Sequence, residues 1–560
     1  MIATIYKNKG RRKELVNHRG IFLKQILSKM FEKMNMNRIS ESVENIDKSQ
    51  GGSRPNRSPA DQTYLLRAAS DHCRYLKRPL YIVFYDYSQC FDSLWLSDCL
   101  ISLWNLGVRS ETLNNINNLN KTCNLVVKTP VGITGQAEVT SIVQQGSVSG
   151  GVLCSASTAE VVREDLGKGC QIGLVSVKSL AYVDDIASAN TDVSDTYISH
   201  NSIVWFSKKK RLSLNVPKCL ILCMYIRPTD IIPRLEIDGE PLKSVKKAAY
   251  LGDSFNDVGT NKHLIEDRTK KAQACIVSSM SLCNEVTLGL FTIQTLLLTY
   301  KSLFLHVVLY NSQSWCNISK KDMNSLRVKQ MKYLKRVFHA PSSTPNAVTL
   351  LETGSLPIEQ EIHARQLNSL HHILTLKKDD PVKLTYSEQL KYTQEQNWGN
   401  EVKDLRKHYK IPEDDSEVVK FSKEKWKEYI KKTVKQHALE DLNAELSKLK
   451  HASQITTYNT LKPQQYFENL KPHHSRKLFH VRAGIVDIKS VRKYKYSDTV
   501  CRLCGDPNEN IEHVLNQCNK IPRVSRIDNI FTSDEEEMTA IAERFTVFAT
   551  QVKELERDKE

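Results

Sequence analysis

The sequence predicts a large α+β fold that becomes mostly helical in its second half. Its 560 residues exceed what one hydrophobic core usually organises, so several domains are expected. Between 79 and 256, short runs of β-branched and aromatic residues alternate with helical periodicity, which is typical of an α+β or α/β core. From 257 onward the apolar residues follow a helical period.

The first 78 residues are basic and mixed in pattern. They contain a predicted helix over Ile21–Met36 and a turn-rich segment over 50–59 that holds two Gly and two Pro. Asp61 is predicted to cap the helix that follows this segment.

The next part, 79–256, carries most of the predicted strands. Strands are predicted over 80–86, 123–128, 139–143, 174–182, 185–189, 219–226 and 235–238. Helices are predicted over 92–105, 149–166 and 194–211.

Helical patterns dominate the rest of the chain, with Trp315, Leu326 and Leu334 on apolar faces. The charged segment Lys423–Glu428 is either a solvated helix face or a nucleic-acid track, and composition does not choose between them. The acidic run Asp534–Glu537 opens a tail with one predicted amphipathic helix. The predicted division is 1–78, 79–256, 257–378, 379–480, 481–525 and 526–560.

The overall charge predicts a polyanionic partner. Lys and Arg number 80 against 63 Asp and Glu, which gives a net charge of +17. Such a surplus favours nucleic acid first and an acidic membrane second, with an ordinary basic soluble protein as the alternative. The longest apolar window, 288–310, contains Gln294, Lys301 and His306, so it predicts a buried helix and no membrane span.

The cysteines predict an intracellular protein. Eleven of the 14 are scattered between Cys73 and Cys316, and no secretory signal opens the chain. Scattered cysteines of this kind are expected to be reduced thiols. We expect a nuclear location or a cytoplasmic ribonucleoprotein.

Three acids in apolar surroundings are the strongest chemical signal. Asp184 and Asp185 interrupt an apolar run, as in a tight hairpin with its acids at the turn, and Asp86 ends the apolar run that begins at Leu80. Carboxylates in such settings need a positive partner, and Mg²⁺ prefers oxygen ligands. If the strands are neighbours, two Mg²⁺ ions roughly 3.5–4 Å apart could clamp the oxygens of a phosphoryl transfer. Most Asp-Asp pairs are solvated turn residues instead.

Around these acids the chain resembles a known family. Phe84–Ser93 resembles motif A of reverse transcriptases, and Ala181–Asp185 resembles their motif C. Further resemblances follow the family's order: 50–59 to a fingers motif of non-long-terminal-repeat retrotransposons, 143–147 to motif B, 214–219 to motif D, 250–252 to motif E, and 309–310 with Trp315 and 353–357 to the thumb. The resemblance covers about 5–380 and resumes at 482–518.

This resemblance implies a right-hand polymerase fold and an RNA-directed DNA polymerase of the LINE type. Fingers would lie in 1–78, the palm in 79–256 and a helical thumb in 257–378. A basic helical connector and a small zinc module would follow. The implied partners are an RNA template, a DNA primer or target, and dNTPs, with no membrane.

The resemblance also implies residue roles. Asp86 and Asp184 would bind two Mg²⁺, with Asp185 as a secondary acid and the Tyr87 carbonyl assisting. The implied nucleotide contacts are Phe91 as the residue that excludes a ribose 2′-hydroxyl, Gln145 and Gly146 at the nucleotide pocket, Arg54 or Arg57 at the triphosphate, and Lys218 as the proton donor to pyrophosphate. A core phenylalanine, solvated loop arginines and a surface lysine are the respective alternatives.

The cluster Cys501, Cys504, His513 and Cys518 predicts one structural zinc site. Three thiolates and one imidazole suit tetrahedral Zn²⁺, and a closed set of four ligands is structural. The spacing resembles the C-terminal zinc-binding segment of the same retrotransposons.

The surrounding basic and aromatic residues are predicted to contact nucleic acid by phosphate binding and base stacking. They are Arg482, Arg492, Lys493, Tyr494, Lys495 and Tyr496. A folded surface of mixed residues is the alternative.

The sequence shows no endonuclease or ribonuclease H constellation, so we expect a truncated copy, a fragment, or a protein that relies on nicks made elsewhere. After Gln145-Gly146 the chain reads Ser147–Gly151 where the family usually has a Leu-Ser-Pro-containing form. A decayed or domesticated nucleic-acid-binding protein is therefore the second hypothesis. A polymerase with a cellular task, such as telomere or intron work, is the third.

Overall fold

The computed structural model describes residues 1–8, 10–14, 17–129, 132–140, 143–449, 458–522 and 526–558. The chain divides into two compact units. The first unit comprises 1–264, 313–317 and 369–404, and the second comprises 265–312, 318–368 and 405–560.

The named strands all belong to the first unit. They are β1 (Ile2–Tyr6), β2 (His18–Phe22), β3 (Leu80–Tyr85), β4 (Thr122–Leu125), β5 (Val127–Thr129), β6 (Gly132–Ile133), β7 (Ala137–Thr140), β8 (Cys170–Ile172), β9 (Val175–Val177), β10 (Ser179–Tyr182), β11 (Asp185–Asn190), β12 (Leu220–Met224), β13 (Glu236–Ile237), β14 (Glu240–Pro241), β15 (Lys243–Val245), β16 (Lys247–Tyr250) and β17 (Asp253–Asn256).

Helices occur in both units, and α9, α14 and α16 cross from one to the other along the chain. The helices are α1 (Ile26–Arg38), α2 (Ser40–Glu44), α3 (Pro59–Leu76), α4 (Cys90–Ser93), α5 (Leu96–Asn105), α6 (Ser110–Lys121), α7 (Gly150–Arg163), α8 (Val193–Lys209), α9 (Lys262–Thr287), α10 (Ile293–Thr299), α11 (Leu305–Val308), α12 (Lys320–Val337), α13 (Asn346–Thr353), α14 (Ile358–Thr375), α15 (Pro381–Gln389), α16 (Trp398–His408), α17 (Asp415–Val419), α18 (Lys423–Ser447), α19 (Tyr466–Asn469), α20 (Pro472–Arg482) and α21 (Glu535–Arg557).

A five-stranded sheet with the order β10-β11-β3-β12-β15 forms the centre of the first unit. All residues of the central strand β3 are buried, as its continuous apolar run predicts. β11 and β12 run antiparallel to β3, with Ile186 opposite Tyr85 and Leu220 opposite Phe84. The end of β3 therefore lies beside the first residues of β11 and β12, and this edge of the sheet positions the site.

Both faces of the sheet are covered. On one face α8 packs against β3 and β11, where the Tyr85 ring stacks on His200 with 5.9 Å between ring centroids. On the other face the Tyr250 ring lies 5.8 Å from Phe84, and its hydroxyl donates to the Leu180 carbonyl at 3.1 Å. The segment predicted as motif E thus packs beneath the edge of the sheet at which β3 ends.

The predicted elements exist, but several boundaries differ. The predicted strand 174–182 is divided into β9 and β10, because β9 turns away to pair with β8. The predicted helix 92–105 is interrupted between α4 and α5, and the predicted helix 21–36 starts only at Ile26. Ile21 and Phe22 instead end strand β2, which pairs with β1. For the predicted strand 139–143, positions 141–142 lie outside the described residues.

The start of α3 corrects the capping prediction. Ser58, not Asp61, is the N-cap residue, and Pro59 occupies the first helical position. Asp61 lies one turn into the helix, where its carboxylate accepts a hydrogen bond from the Ser58 backbone N–H at 2.9 Å. This is the reciprocal half of a capping box.

The second unit is built from packed helices. Leu326 and Leu334 of α12 are fully buried, as their apolar spacing predicts. In α18, Trp426, Ile430 and Val434 form a buried stripe, while the neighbouring lysines and glutamates are exposed. Across the part of the chain that the structure describes, no helix combines the length and the apolar character that crossing a bilayer requires.

Candidate active site and zinc centre

β10 and β11 form a hairpin whose turn is Val183-Asp184, with Tyr182 opposite Asp185. This confirms the predicted hairpin with its acids at the turn. Val183 has a φ of +61°, which a β-branched residue rarely adopts. Backbone strain of this kind persists only where surrounding contacts hold it.

The buried side chain of Gln50 provides those contacts. Its Oε1 accepts hydrogen bonds from the backbone N–H groups of Val183 (2.8 Å) and Gly52 (2.7 Å), and its Nε2 donates to the Val183 carbonyl (3.0 Å). The Thr158 hydroxyl donates to the same carbonyl at 2.6 Å. A Cβ on Gly52 would lie 2.4 Å from the Val183 nitrogen, so this approach requires glycine. Gln50 and Gly52 therefore hold the turn that carries Asp184.

Asp86 directly follows β3 and lies at the same edge as the hairpin turn. Lys218 Nζ forms an ion pair with Asp86 Oδ2 at 2.7 Å. The Asn215 N–H donates to the Asp86 carbonyl, and the Ser88 N–H donates to the Ser213 carbonyl. Because these bonds flank Tyr87, the Tyr87 carbonyl points away from that segment. Its ring is buried, with the hydroxyl 2.8 Å from Ser207 Oγ.

The three acids influence one another electrostatically. Burial and then the neighbouring Asp184 and Asp86 raise the pKa of Asp185 to about 6, although its side chain reaches solvent. Burial also raises the pKa of Asp184, and Asp86 adds to this effect. Lys218 acts in the opposite direction on both groups. One lysine among three carboxylates leaves a negative site.

This site fits a hard divalent cation. Asp86, Asp185 and Lys218 line a cavity of about 320 Å³, together with the segment Tyr250–Gly252. The protein offers carboxylate oxygens there, and oxygen ligands from one or two carboxylates are what Mg²⁺ commonly binds. A cation would also offset the burial and the mutual repulsion that together raise the pKa values of Asp184 and Asp185.

The two candidate triphosphate arginines differ in their partners. Arg57 is paired with Asp380, and NH1 donates to Oδ1 at 3.2 Å with both side chains nearly buried. Arg54 has a buried Nε with no hydrogen-bond partner, and its NH1 makes only a long contact of 3.4 Å to the Gln50 carbonyl. Burial lowers the pKa of Arg54, and Arg57 adds to this. The arrangement leaves donors available on Arg54 rather than on Arg57.

The remaining predicted nucleotide contacts lie in the first unit. Phe91 packs partly against the core and is half-buried, which is compatible with both interpretations of this residue. Gly146 is exposed with a φ of +96°, a conformation that favours glycine. The carbonyl of the preceding Gln145 accepts a hydrogen bond from the Phe22 N–H at 2.9 Å.

The four predicted zinc ligands meet in the second unit. Each of these residues offers one ligand atom, and the four atoms all lie within 4.8 Å of one another. The residues are Cys501, Cys504, His513 and Cys518. Gly505, with a φ of +79°, closes the turn after the first pair by donating to the Cys501 carbonyl at 3.0 Å. Burial and then the neighbouring thiols Cys501 and Cys504 raise the pKa of Cys518 to about 12. The donor set and its closeness fit Zn²⁺, which would stabilise the thiolates.

Arg482 does not occupy the predicted nucleic-acid surface. It is 3% exposed, and its guanidinium donates to the carbonyls of Ile530 (3.0 Å) and Thr532 (2.9 Å). The buried carboxylate of Glu352 lies 4.0 Å away. The N–H groups of Arg482 are therefore occupied by these carbonyls. Arg482 connects helix α20 to the segment before α21 and is not placed to contact a ligand.

The other members of the predicted basic-aromatic group are more exposed. Tyr494 is 80% exposed, and Arg492 Nη1 donates to its hydroxyl at 2.8 Å. Lys495 and Tyr496 both donate to Asp487, at 3.2 Å and 3.0 Å. Lys493 is exposed. Asp487 thus partly neutralises this group.

Sequence reasoning missed two supporting side chains. Gln50 lies in the turn-rich segment that was singled out for its arginines and glycines. The available signal in the sequence was a polar residue directly before two glycines. Arg502, between two zinc ligands, donates to buried Glu509 at 2.8 Å. Glu509 in turn accepts from the backbone N–H groups of Lys489 and Arg502. No pattern in the sequence points to this pair.

Comparison with known proteins gives one family. A family model described as "Reverse transcriptase (RNA-dependent DNA polymerase)" matches residues 6–255. No match is found among curated protein sequences.

Solved telomerase structures are similar at low identity. Apo telomerase from Candida tropicalis is 13% identical, with a TM-score of 0.32 over 72% of this chain and 61% of that chain. Telomerase from Candida albicans in complex with a TWJ fragment of telomeric RNA is 13% identical, with a TM-score of 0.28 over 66% of this chain and 57% of that chain. The chain thus spans little more than half the length of these proteins.

The family match extends across the strand that ends at Asp86 and the hairpin that carries Asp184 and Asp185. Residues 6–255 of this chain thus match the family described as reverse transcriptase, an RNA-dependent DNA polymerase.

Proposed function

We propose that this chain is an RNA-directed DNA polymerase of a non-long-terminal-repeat retrotransposon. It adds dNTPs to the 3′-end of a DNA primer on an RNA template. The observation that carries the proposal is the meeting of Asp86, Asp184 and Asp185 at one edge of the central sheet, inside the reverse transcriptase domain.

Each residue has a defined task in this reaction. Asp86 and Asp184 would hold two Mg²⁺ ions, whose chemistry there would be activation of the primer 3′-hydroxyl and neutralisation of the leaving pyrophosphate. Gln50 and Gly52 fix the turn that orients Asp184. Arg54, which among the described residues has no carboxylate partner comparable to that of Arg57, would bind the triphosphate, since a guanidinium binds phosphate through two N–H groups. Lys218 places its ammonium beside Asp86, and we propose it as the proton donor to the departing pyrophosphate.

Primer extension tests this proposal. Purified protein with Mg²⁺ should extend oligo(dT) on poly(rA), and the Asp184→Asn variant should lose this activity because a metal ligand is gone. The charge-matched control Asp404→Asn, at an exposed position of the same unit, should extend at the wild-type rate. Wild-type extension by Asp184→Asn would contradict the metal-ligand role.

The Cys/His cluster is proposed to bind one structural Zn²⁺ that organises the surface for template RNA or target DNA. The closeness of the four ligand atoms supports this. Arg502 and Glu509 would hold the loop that presents Cys501 and Cys504.

Metal analysis tests the zinc site. The wild type should contain about one zinc per chain, and His513→Ala should lose it, because three thiolates alone leave the tetrahedron open. His473→Ala, at an exposed histidine of the same unit, should keep the metal. Equal zinc in wild type and His513→Ala, or none in either, would contradict the site.

The retrotransposon setting rests on the motif resemblance and on the zinc cluster. The primer in this setting is nicked target DNA. The cysteines whose side chains the structure describes are free thiols, which supports an intracellular site of action.

A decayed or domesticated nucleic-acid-binding protein is the second candidate. The ion pair of Arg57 with Asp380 favours it, because one predicted triphosphate contact is already neutralised. Template binding without nucleotide incorporation in the same assay would support this candidate over the first.

A further inference from the structure

The six tryptophans of the chain fall into two groups. Trp315, Trp398 and Trp426 are at most 2% exposed, as expected for large apolar side chains. Trp95, Trp104 and Trp205 are 53%, 49% and 57% exposed. All three exposed rings belong to the first unit, on or beside helices α5 and α8.

Each exposed tryptophan carries a cation over its ring. Arg211 lies 3.9 Å from the centroid of Trp95, Arg109 lies 3.9 Å from Trp104, and Lys209 Nζ lies 5.1 Å from Trp205. In the described part of the chain, none of these three cations has a carboxylate within ion-pair distance. Their neighbours Lys208 and Lys210 are paired with Asp238 and Glu160 instead. Among the cations at the end of α8, Lys209 and Arg211 are therefore the two that lie on aromatic rings, and Arg109 also donates to the Val108 carbonyl at 3.0 Å.

The three pairs are named together here as the strip, which comprises Trp95, Trp104, Trp205, Arg109, Lys209 and Arg211. Lys209 and Arg211 are two positions apart at the end of α8. Trp95 and Trp104 lie at the two ends of α5, whose ten residues span about 14 Å at the helical rise. The contact of Arg211 with Trp95 thus joins the end of α8 to the start of α5, while Trp104 and Arg109 lie farther along the chain from that contact.

The strip starts close to the catalytic edge. Trp95 follows Asp86 after only the short helix α4. Arg211 precedes the segment 213–215, which is hydrogen-bonded to the backbone of Asp86 and Ser88. A strand of nucleic acid lying on the strip would lead toward or away from Asp86.

We infer that this strip binds single-stranded nucleic acid outside the catalytic cleft. Cations without acidic partners suit phosphates, and exposed indole rings suit unpaired bases, which stack on them whatever their identity. A partner protein with an apolar surface would leave these cations without counter-charges, so the strip fits a polyanion with aromatic bases better.

A titration of labelled oligo(U) without nucleotide or magnesium tests this site, and its outcome does not depend on catalysis. The variant R109Q/K209Q/R211Q should bind more weakly, and the slope of log affinity against log salt should fall by about 2, since a single-strand phosphate contact contributes about 0.7. The control K77Q/K168Q/K243Q removes the same charge from exposed positions of the same unit. It should change the slope by less.

A second readout separates stacking from general charge. Oligo(U) should quench the tryptophan fluorescence of the wild type, and W95F/W104F/W205F should lose that quenching because its remaining tryptophans are buried. Wild-type affinity and slope in R109Q/K209Q/R211Q, or equal losses in the control, would overturn the inference. So would undiminished quenching in the triple phenylalanine variant. Oligo(U) binding with these signatures supports the strip even if primer extension fails.

Discussion

Lys218 lies at the same edge of the sheet as Asp86, and two roles are considered for it. It is either only an ion-pair partner of Asp86 or also the proton donor to pyrophosphate. Its ammonium is 2.7 Å from Asp86 and is 54% exposed, so it is held by the carboxylate but open to a substrate. An ion pair alone would need only a positive charge. A proton donor to pyrophosphate would need a group that can release its proton, and lysine does so far more readily than arginine.

Substitution of Lys218 separates these roles. Lys218→Met should lower kcat for extension by about 100-fold, within the range for loss of a general acid. Lys218→Arg keeps the charge beside Asp86 but is expected to lower kcat similarly. Single-turnover kinetics and the pH profile of each variant provide the measurement. Full activity of Lys218→Arg would show that only the charge is needed.

The raised pKa of Asp185 gives the metal site a pH dependence. An acid whose pKa is raised to about 6 holds its proton in the folded protein at a pH where the unfolded chain has lost it. Below about pH 6 Asp185 is protonated. The site then carries less negative charge and binds a cation more weakly. Above it the carboxylate is ionised and the repulsion with Asp184 favours a cation.

We therefore expect the Mg²⁺ concentration for half-maximal extension to rise as the pH falls from about 7.5 through 6. Mg²⁺ should also raise the melting temperature more at pH 7.5 than at pH 5.5. Thermal melts at both pH values, with and without Mg²⁺, measure this without catalysis. A melting shift that is equal at the two pH values would contradict the assignment.

At the level of elements, the hairpin of β10 and β11 depends on a segment far away in sequence. The apolar residues on both sides of the two acids predict the hairpin, because a turn places Asp184 outside the strands and Asp185 at the exposed start of β11. The strained Val183 conformation and its clamp by Gln50 were not predictable, because they join residues 133 positions apart. Local patterns carry no information on such pairs.

Gln50→Leu tests the clamp. The substitution leaves the N–H groups of Val183 and Gly52 without an acceptor, which costs about 1–3 kcal/mol each. We expect lower stability in urea denaturation and loss of most extension activity, because Asp184 loses its fixed turn.

The matched control is Gln62→Leu, a buried glutamine whose Oε1 has no partner and whose Nε2 makes only a 3.4 Å contact. It should be milder in both measurements. Equal effects of the two substitutions would assign Gln50 a general packing role only.

At the level of the whole molecule, the basic surplus and the helical second half follow from composition and periodicity, and the structure bears out the helices. The meeting of the three acids could be predicted because each interrupts or ends an apolar run, and the Cys/His cluster because metal binding needs these residue types at short spacings. The partners of Arg482 and Arg57 could not be predicted from residue type and spacing. An arginine that satisfies backbone carbonyls or a distant aspartate has the same sequence appearance as one that awaits a phosphate.

The first unit includes residues that lie outside the family match and that pair with residues inside it. Arg57 pairs with Asp380, the Tyr64 hydroxyl donates to Gln389 at 2.8 Å, and His72 lies 3.1 Å from Glu395. The partners Asp380, Gln389 and Glu395 lie in 369–404. This part of the first unit is outside the family match, which covers residues 6–255.

A recombinant fragment cut at the end of the family match would keep all three catalytic acids and still lack the partners of Arg57, Tyr64 and His72. Such a fragment would expose polar groups that the intact chain satisfies, along with the apolar site of Trp398. A cut after position 404 would keep these partners but would divide α16 and remove 405–560 from the second unit, so the end of the family match is not the end of a folded body.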